Sequence, residues 1–363
     1  MCRESKENPP NALAPPFILI VILRAMNSPD LNGVQSRLKS KQRIVILTHS
    51  NPDGDAMGSS LGLCAYLRNK GHVTRVIVPN DFPDFLAWLP GSPEVLVFEK
   101  NKAAAADLIN DASLIFCLDF NTLKRIGEPA ALIEASSAYK VMIDHHQQPD
   151  SFPDCLFHDT NASSTAELVY DFITAMGDQK LITAESGICL YTGIMTDTAS
   201  FRFPSASPHT LQIAASLKEL GVETHRAHEQ VYDVNTEDRL RLMGYAISEK
   251  MVVLKDVKTA YISITKAELE RFNFRKGDTE GLVNWCLSVS GIILGVFFME
   301  KDNEIRLSLR SKGKFDVNAM ARKYFNGGGH IHAAGGSFDG NLQEAVKKLE
   351  SILPSYADEL KRS

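Results

Sequence analysis

The sequence predicts an α/β chain of two bodies: a parallel-sheet domain flanked by helices, joined by a helical linker to a smaller mixed α/β C-terminal domain. Three observations carry this. From Lys41 on, short β-branched apolar runs alternate with helical patterns, as in a sheet buried on both faces. From Gly221 to Lys250 the chain turns polar, charged and helical. And 363 residues are too many for one small core.

In order, Arg43–Thr48 (RIVILT) reads as a buried strand. Gly58–Asn69 reads as a helix, with Leu61, Cys64, Ala65 and Leu67 apolar and Gly71 just past its end. Val73–Val78, Ser113–Asp119 and Tyr139–Asp144 are three further strands, and Ser164–Met176 and Thr183–Met195 are helices. Beyond the connector, Met251–Leu254, Thr259–Thr265, Gly291–Met299 and Ile305–Leu309 read as strands, and Ala345–Leu353 as a closing helix. The expected boundaries are therefore 1–25 for a leader outside the fold, 26–220, 221–250 and 251–363. In the leader, the apolar run Phe17–Leu23 follows Arg3 and Lys6 but falls short of the roughly 20 residues a membrane span needs. Arg24 stands where a small-residue cleavage pattern would, so Met26 is the expected start, with neither secretion nor a membrane anchor.

Composition narrows the function. Hydrophobic content of 44% and charged content of 23% exclude disordered and fibrous classes. A net charge of −5 excludes a protein that coats long duplex DNA, yet leaves room for a small phosphorylated ligand. Six cysteines without a C-x-x-C pair, three of them in apolar runs, point to a reducing cytoplasm.

The acids and histidines fall at strand ends. His49 ends the first strand, and Asp53 and Asp55 follow on the next turn. Asp119 ends the third strand, Asp144-His145-His146 the fourth, and Asp197 closes the apolar segment GIMTD. Ligands of open parallel sheets bind outside the carboxyl ends of the strands. Four or five carboxylates converging there repel one another unless cations hold them together. Mixed carboxylate and imidazole donors suit Mn²⁺ or Mg²⁺, and the pattern reads as a two-metal hydrolase.

Plainer readings exist for each piece. Asn51–Gly54 is a common turn sequence on its own. As an EF-hand the loop fails, because Ala56 stands at the glycine position and Gly62 at that of the bidentate glutamate. Asp197 alone would be a surface residue at a helix end. Gly58-Ser59-Ser60-Leu61-Gly62 matches the esterase G-x-S-x-G, but Ser60 lies inside the following helix, where small residues would let it pack closely on the sheet. In the second domain, Arg306, Arg310, Lys312, Lys314, Arg322 and Lys323 face only one acid, Asp316, before Gly327-Gly328-Gly329-His330. A basic patch beside a glycine-rich turn suits a phosphate.

Taken in order, HSNPDGDA, the LDF aspartate, DHH, GIMTDT and SLRS…GGGH resemble the DHH phosphoesterase superfamily over nearly the whole chain from Met26. Within it the chain is similar to the NrnA-type oligoribonucleases and pAp phosphatases, which add a DHH-associated C-terminal domain. The resemblance implies hydrolysis of short oligoribonucleotides or pAp, with the site in the interdomain cleft and two Mn²⁺ (or Mg²⁺) as cofactors. His49, Asp53 and Asp119 would hold one ion; Asp55, Asp119, His145 and Asp197 the second, with Asp119 bridging. His146 would face the scissile phosphate, and Asp144 would orient the histidines. Ser308, Arg310, Gly328, Gly329 and His330 would grip the substrate's terminal phosphate, with Arg202 a further contact. Homodimerisation is a family expectation. The alternatives are a c-di-AMP or pApA phosphodiesterase, a non-catalytic nucleotide sensor and a serine esterase. Ala199, where the family often has glycine, and His332, where asparagine is common, are the departures.

Overall fold

Strand β1 (Arg43–Leu47) pairs on one side with β2 (Val73–Val78) and on the other with β4 (Leu114–Leu118), always parallel. The computed structural model describes residues 31–302 and 304–363, so the leader 1–25 and the start at Met26 lie outside the described residues. With β3 (Leu96–Val97), β5 (Tyr139–Asp144) and β6 (Cys155–His158) the sheet order is β3-β2-β1-β4-β5-β6, all parallel. The direction of strand addition reverses between β1 and β4, which opens a crevice at their carboxyl ends.

Strand alternation splits the core. Ile44, Ile46, Phe116, Leu118, Val141 and Ile143 share one cluster with helices α1 (Leu31–Arg37), α2 (Gly54–Asn69), α5 (Thr165–Ala175), α6 (Ala184–Asp197), α7 (Pro208–Glu219) and α8 (Thr224–Tyr232). Val45, Leu47, Ile115, Cys117 and Met142 face α3 (Lys102–Asp111) and α4 (Pro129–Ala135). Both faces are thus covered, as the apolar runs require.

Two local expectations change. Helix α2 begins at Gly54, so the Asn51–Gly54 turn is its cap: one Asp53 carboxylate oxygen accepts from the Asp55 and Ala56 amides at 3.0 and 3.1 Å. The small residues of α2 pack on α6 rather than on the sheet. A Cβ at Gly58 would lie 2.5 Å from the Cys189 carbonyl oxygen and 2.7 Å from the Gly193 nitrogen. Ser60 is fully buried, and its hydroxyl donates to the Ala56 carbonyl at 2.7 Å, so it cannot meet a substrate as an esterase nucleophile.

The chain divides at Asp233/Val234. Helix α8 therefore belongs to the first unit, and α9 (Glu237–Glu249) to the second. The second unit is built on a mixed sheet ordered β11-β12-β10-β9-β8-β7. Its strands are β7 (Met251–Leu254), β8 (Thr259–Ile264), β9 (Leu294–Glu300), β10 (Ile305–Ser311), β11 (Gly328–His330) and β12 (Ala333–Phe338). Only β8 and β9 pair in parallel. The glycine-rich stretch is thus an edge strand rather than a turn. One face packs on α12 (Val317–Tyr324) and α13 (Leu342–Ile352), the other on α9, α10 (Lys266–Arg271) and α11 (Leu282–Ser288), and α14 (Ala357–Arg362) ends the chain. Among the described residues no helix is long and apolar enough to cross a membrane.

Candidate metal centre

The acidic motifs meet because each lies at the carboxyl end of a central strand or at a helix end beside it. His49 follows β1, Asp119 follows β4, and His145 and His146 follow β5. Asp53 caps α2, Asp55 is in its first turn, and Asp197 ends α6. Asp119 turns out of the sheet at φ 64°, a left-handed backbone that few non-glycine residues adopt, while its N–H donates to the Ile143 carbonyl at 3.2 Å.

Two donor sets result, each with ligand atoms within 4.8 Å of one another: His49, Asp53 and Asp119; and Asp55, His145 and Asp197. In the first, His49 Nε2 lies 3.2 Å from Asp119 Oδ2 and 3.9 Å from Asp53 Oδ1. In the second, His145 Nε2 lies 3.9 Å from Asp55 Oδ2 and 3.6 Å from Asp197 Oδ2. Asp119 Oδ1 is also 3.6 Å from His145 Nε2, so one carboxylate presents one oxygen to each set. Metal–ligand bonds of about 2.0–2.2 Å place neighbouring donors roughly 3–3.5 Å apart, so little contraction is needed around a cation. Both imidazoles have Nδ1 engaged: with the Ser50 carbonyl at 2.9 Å for His49, and with the Ala162 carbonyl at 3.2 Å for His145. An Nδ1–H donated there leaves each Nε2 lone pair aimed at the carboxylates.

The electrostatics ask for positive charge. Burial disfavours protonation of His49, yet its Asp119 hydrogen bond and the Asp53 charge outweigh burial and raise its pKa above the ordinary 6.5. His145 behaves alike: burial opposes charge, but Asp197 and Asp119 prevail and the pKa rises. Asp55 is pushed well above the usual carboxylate range by burial, then by Asp119, Asp197 and Asp53. Asp119 goes the other way; burial is overcome by the His49 hydrogen bond and the charges of three imidazoles. Oxygen and imidazole donors, most of them buried, with Asp53 and Asp197 partly exposed, fit hard or borderline divalent metals.

Asp144 is fully buried and accepts from the His146 Nδ1 at 2.8 Å and from its backbone N–H at 3.1 Å, and its charge also helps to raise the His145 pKa. Burial lowers the His146 pKa, which the Asp144 bond only partly offsets. Arg125 was not singled out in the sequence; its guanidinium donates to the Asp119 carbonyl at 3.4 Å, and its charge lowers the pKa of both His49 and His146. A lone Arg in a short 3-10 helix, Leu123–Ile126, carries no motif. Arg202 is exposed, beyond a turn whose residues Ala199, Ser200 and Phe201 all have positive φ.

In the second unit, register aligns the phosphate-binding candidates. Arg310 pairs with Ala333 and Ala333 with His330; Ser308 pairs with Gly335 and Gly335 with Gly328. Small residues thus separate the two polar rows. The Asn318 side-chain oxygen accepts from the Gly329 amide at 2.9 Å and from Arg322 Nε at 3.1 Å, fixing the edge strand. His332 stands at hydrogen-bond distance from the Ser311 hydroxyl, 3.2 Å.

Residues 43–194 match the model of the DHH family, N-terminal domain, and residues 256–355 that of the DHHA1 domain. Over 296 residues the chain is 31% identical to the bifunctional oligoribonuclease and PAP phosphatase NrnA of Bacillus subtilis, covering 81% of this chain and 88% of that protein. The chain belongs to the DHH family. The Thermus thermophilus protein of the same name is 29% identical over 348 residues, covering 92% of this chain and 99% of that protein. Among solved structures, an exopolyphosphatase-related protein from Bacteroides fragilis has a TM-score of 0.87 at 43% identity, covering 91% of this chain and 97% of that one. Position 199, where the resemblance led glycine to be expected, lies in a turn of positive φ. Ala199 has φ 48°, a conformation glycine takes without strain.

Proposed function

We propose that this chain is a divalent-metal-dependent phosphoesterase that hydrolyses short oligoribonucleotides to mononucleotides and pAp to AMP. The observation that carries the reading is Asp119, whose two oxygens face separate His–carboxylate sets. The names of the relatives supply the substrate class. We assign His49, Asp53 and Asp119 to one Mn²⁺ and Asp55, Asp119, His145 and Asp197 to another, with Mg²⁺ the alternative of like chemistry. Bound there, the cations would acidify water and neutralise charge on the phosphoryl oxygens.

The chain's own residues would do the rest. With Nδ1 engaged by Asp144, His146 offers Nε2 to the scissile phosphate, where it steadies charge or passes a proton. Arg125 adds fixed positive charge on the same side as His49 and His146. Ser308, Arg310, Gly328, Gly329 and His330 would bind the substrate's terminal phosphate, with Arg202 a further contact. The buried thiols of Cys64, Cys117, Cys189 and Cys286 accord with work in a reducing cytoplasm.

Turnover of pAp, short RNA oligonucleotides and c-di-AMP, compared with Mn²⁺ and with EDTA, tests this. Hydrolysis of the first two, abolished by EDTA and restored by Mn²⁺, is expected. Turnover untouched by EDTA overturns the metal reading, and preference for c-di-AMP overturns the substrate.

A further inference from the structure

Helix α5 brings its first turn against both carboxylates that matter most. The Thr165 N–H donates to Asp55 Oδ2 at 2.6 Å and the Ala166 N–H to Asp55 Oδ1 at 2.9 Å, so each oxygen of Asp55 accepts one amide. The Thr165 hydroxyl donates to Asp119 Oδ1 at 3.0 Å. Thr165 thus touches both carboxylates while fully buried. The turn itself is anchored elsewhere. Ser164 caps it by accepting from the Glu167 amide at 3.1 Å. Glu167 Oε2 in turn accepts from the Ser163 and Thr210 hydroxyls, each at 2.6 Å. A turn tied to α7 through the Thr210–Glu167 bond therefore presents three donors to these two buried acids.

We propose that Thr165 is a positioning residue for the metal centre: its hydroxyl sets the rotation of the Asp119 carboxylate and so the cation affinity of both donor sets. Without that bond, Asp119 can swing Oδ1 away from His145, and the two sets lose their common ligand. A hydrogen-bonded ligand also arrives preorganised, so less ordering accompanies metal binding. This rests on the two-cation reading above.

Calorimetric titration of the full chain with Mn²⁺, without substrate, tests it in wild type, Thr165→Val, Thr165→Ala and Thr165→Ser. Thr165→Val keeps the volume and removes the hydroxyl; it is expected to weaken Mn²⁺ binding by about 10- to 100-fold, with Thr165→Ser within about threefold of wild type. In pAp hydrolysis, Thr165→Val should need more Mn²⁺ for half-maximal rate while recovering most of its kcat at saturation. Thr165→Ala reads the same loss should the valine variant fail to fold. If wild type binds no Mn²⁺, the two-cation reading falls. If wild type binds and both hydroxyl-free variants bind as tightly, this inference falls alone. It also falls if neither hydroxyl-free variant folds, since the hydroxyl would then serve the core.

Discussion

Asp119 bears more of the site than any neighbour. It stands in a left-handed backbone, contacts His49 and His145 through different oxygens, and receives the Thr165 hydroxyl. Asp119→Asn should therefore cost more than the roughly 10- to 100-fold typical of a supporting residue, measured as kcat/KM for pAp at saturating Mn²⁺. Asp144→Asn removes the charge that holds His146 and should lower kcat while leaving Mn²⁺ affinity near wild type, which calorimetry checks. Ala199→Gly should stabilise the fold by about 0.5–1 kcal/mol, because relief of the left-handed backbone exceeds the added freedom of the unfolded chain. A thermal melt reads that gain. Acids and imidazoles at strand ends were legible in the sequence, since strand ends follow from apolar runs. The left-handed turns and Arg125 were not, because tertiary contacts rather than local preference place them.

At the scale of elements, the first-unit strands from Arg43, Val73 and Tyr139 announced themselves by their apolar, β-branched runs, while the two-residue β3 and four-residue β6 were too short to carry a period. The edge strand Gly328–His330 was hidden by glycines that ordinarily signal turns. Helix α2 shows a different gap: its glycines advertise close packing without saying against what. The partner is α6, and Gly193 of α6 also abuts the site, since a Cβ there would lie 2.6 Å from the Ala166 Cβ and 3.0 Å from Asp55 Oδ1. Gly58→Ala gains helix propensity of about 1 kcal/mol but overpacks against backbone, with a cost of about 1–3 kcal/mol. Chemical denaturation should show net loss of stability, and the Mn²⁺ requirement should rise because Asp55 lies on the same helix.

For the molecule as a whole, the two units carry separate burdens, and pH separates one of them from the metal chemistry. Glu268 in the second unit accepts from Tyr245 at 2.6 Å, Lys250 at 2.8 Å and the Thr265 amide at 2.8 Å. Burial opposes its charge, yet the Lys250 hydrogen bond and the other donors hold its pKa at about 2, below the ordinary 4.5. A depressed carboxylate stabilises the fold above its unfolded value and loses that contribution as pH falls through the folded one. Glu268→Gln should therefore lower the melting temperature at neutral pH, and the gap from wild type should close between pH 4.5 and about 2. Fold class and the presence of a second body were readable from alternation and length. The division at Asp233/Val234 was not, because α8 and α9 are alike in polarity and differ only in which core they cover.

The sharpest test counts bound Mn²⁺ per chain by equilibrium dialysis, in wild type and Asp119→Ala, and follows pAp turnover on the same samples. Two ions per wild-type chain, with the variant losing both occupancy and turnover, is the predicted result. Near-normal turnover by Asp119→Ala with Mn²⁺ supplied would contradict the account.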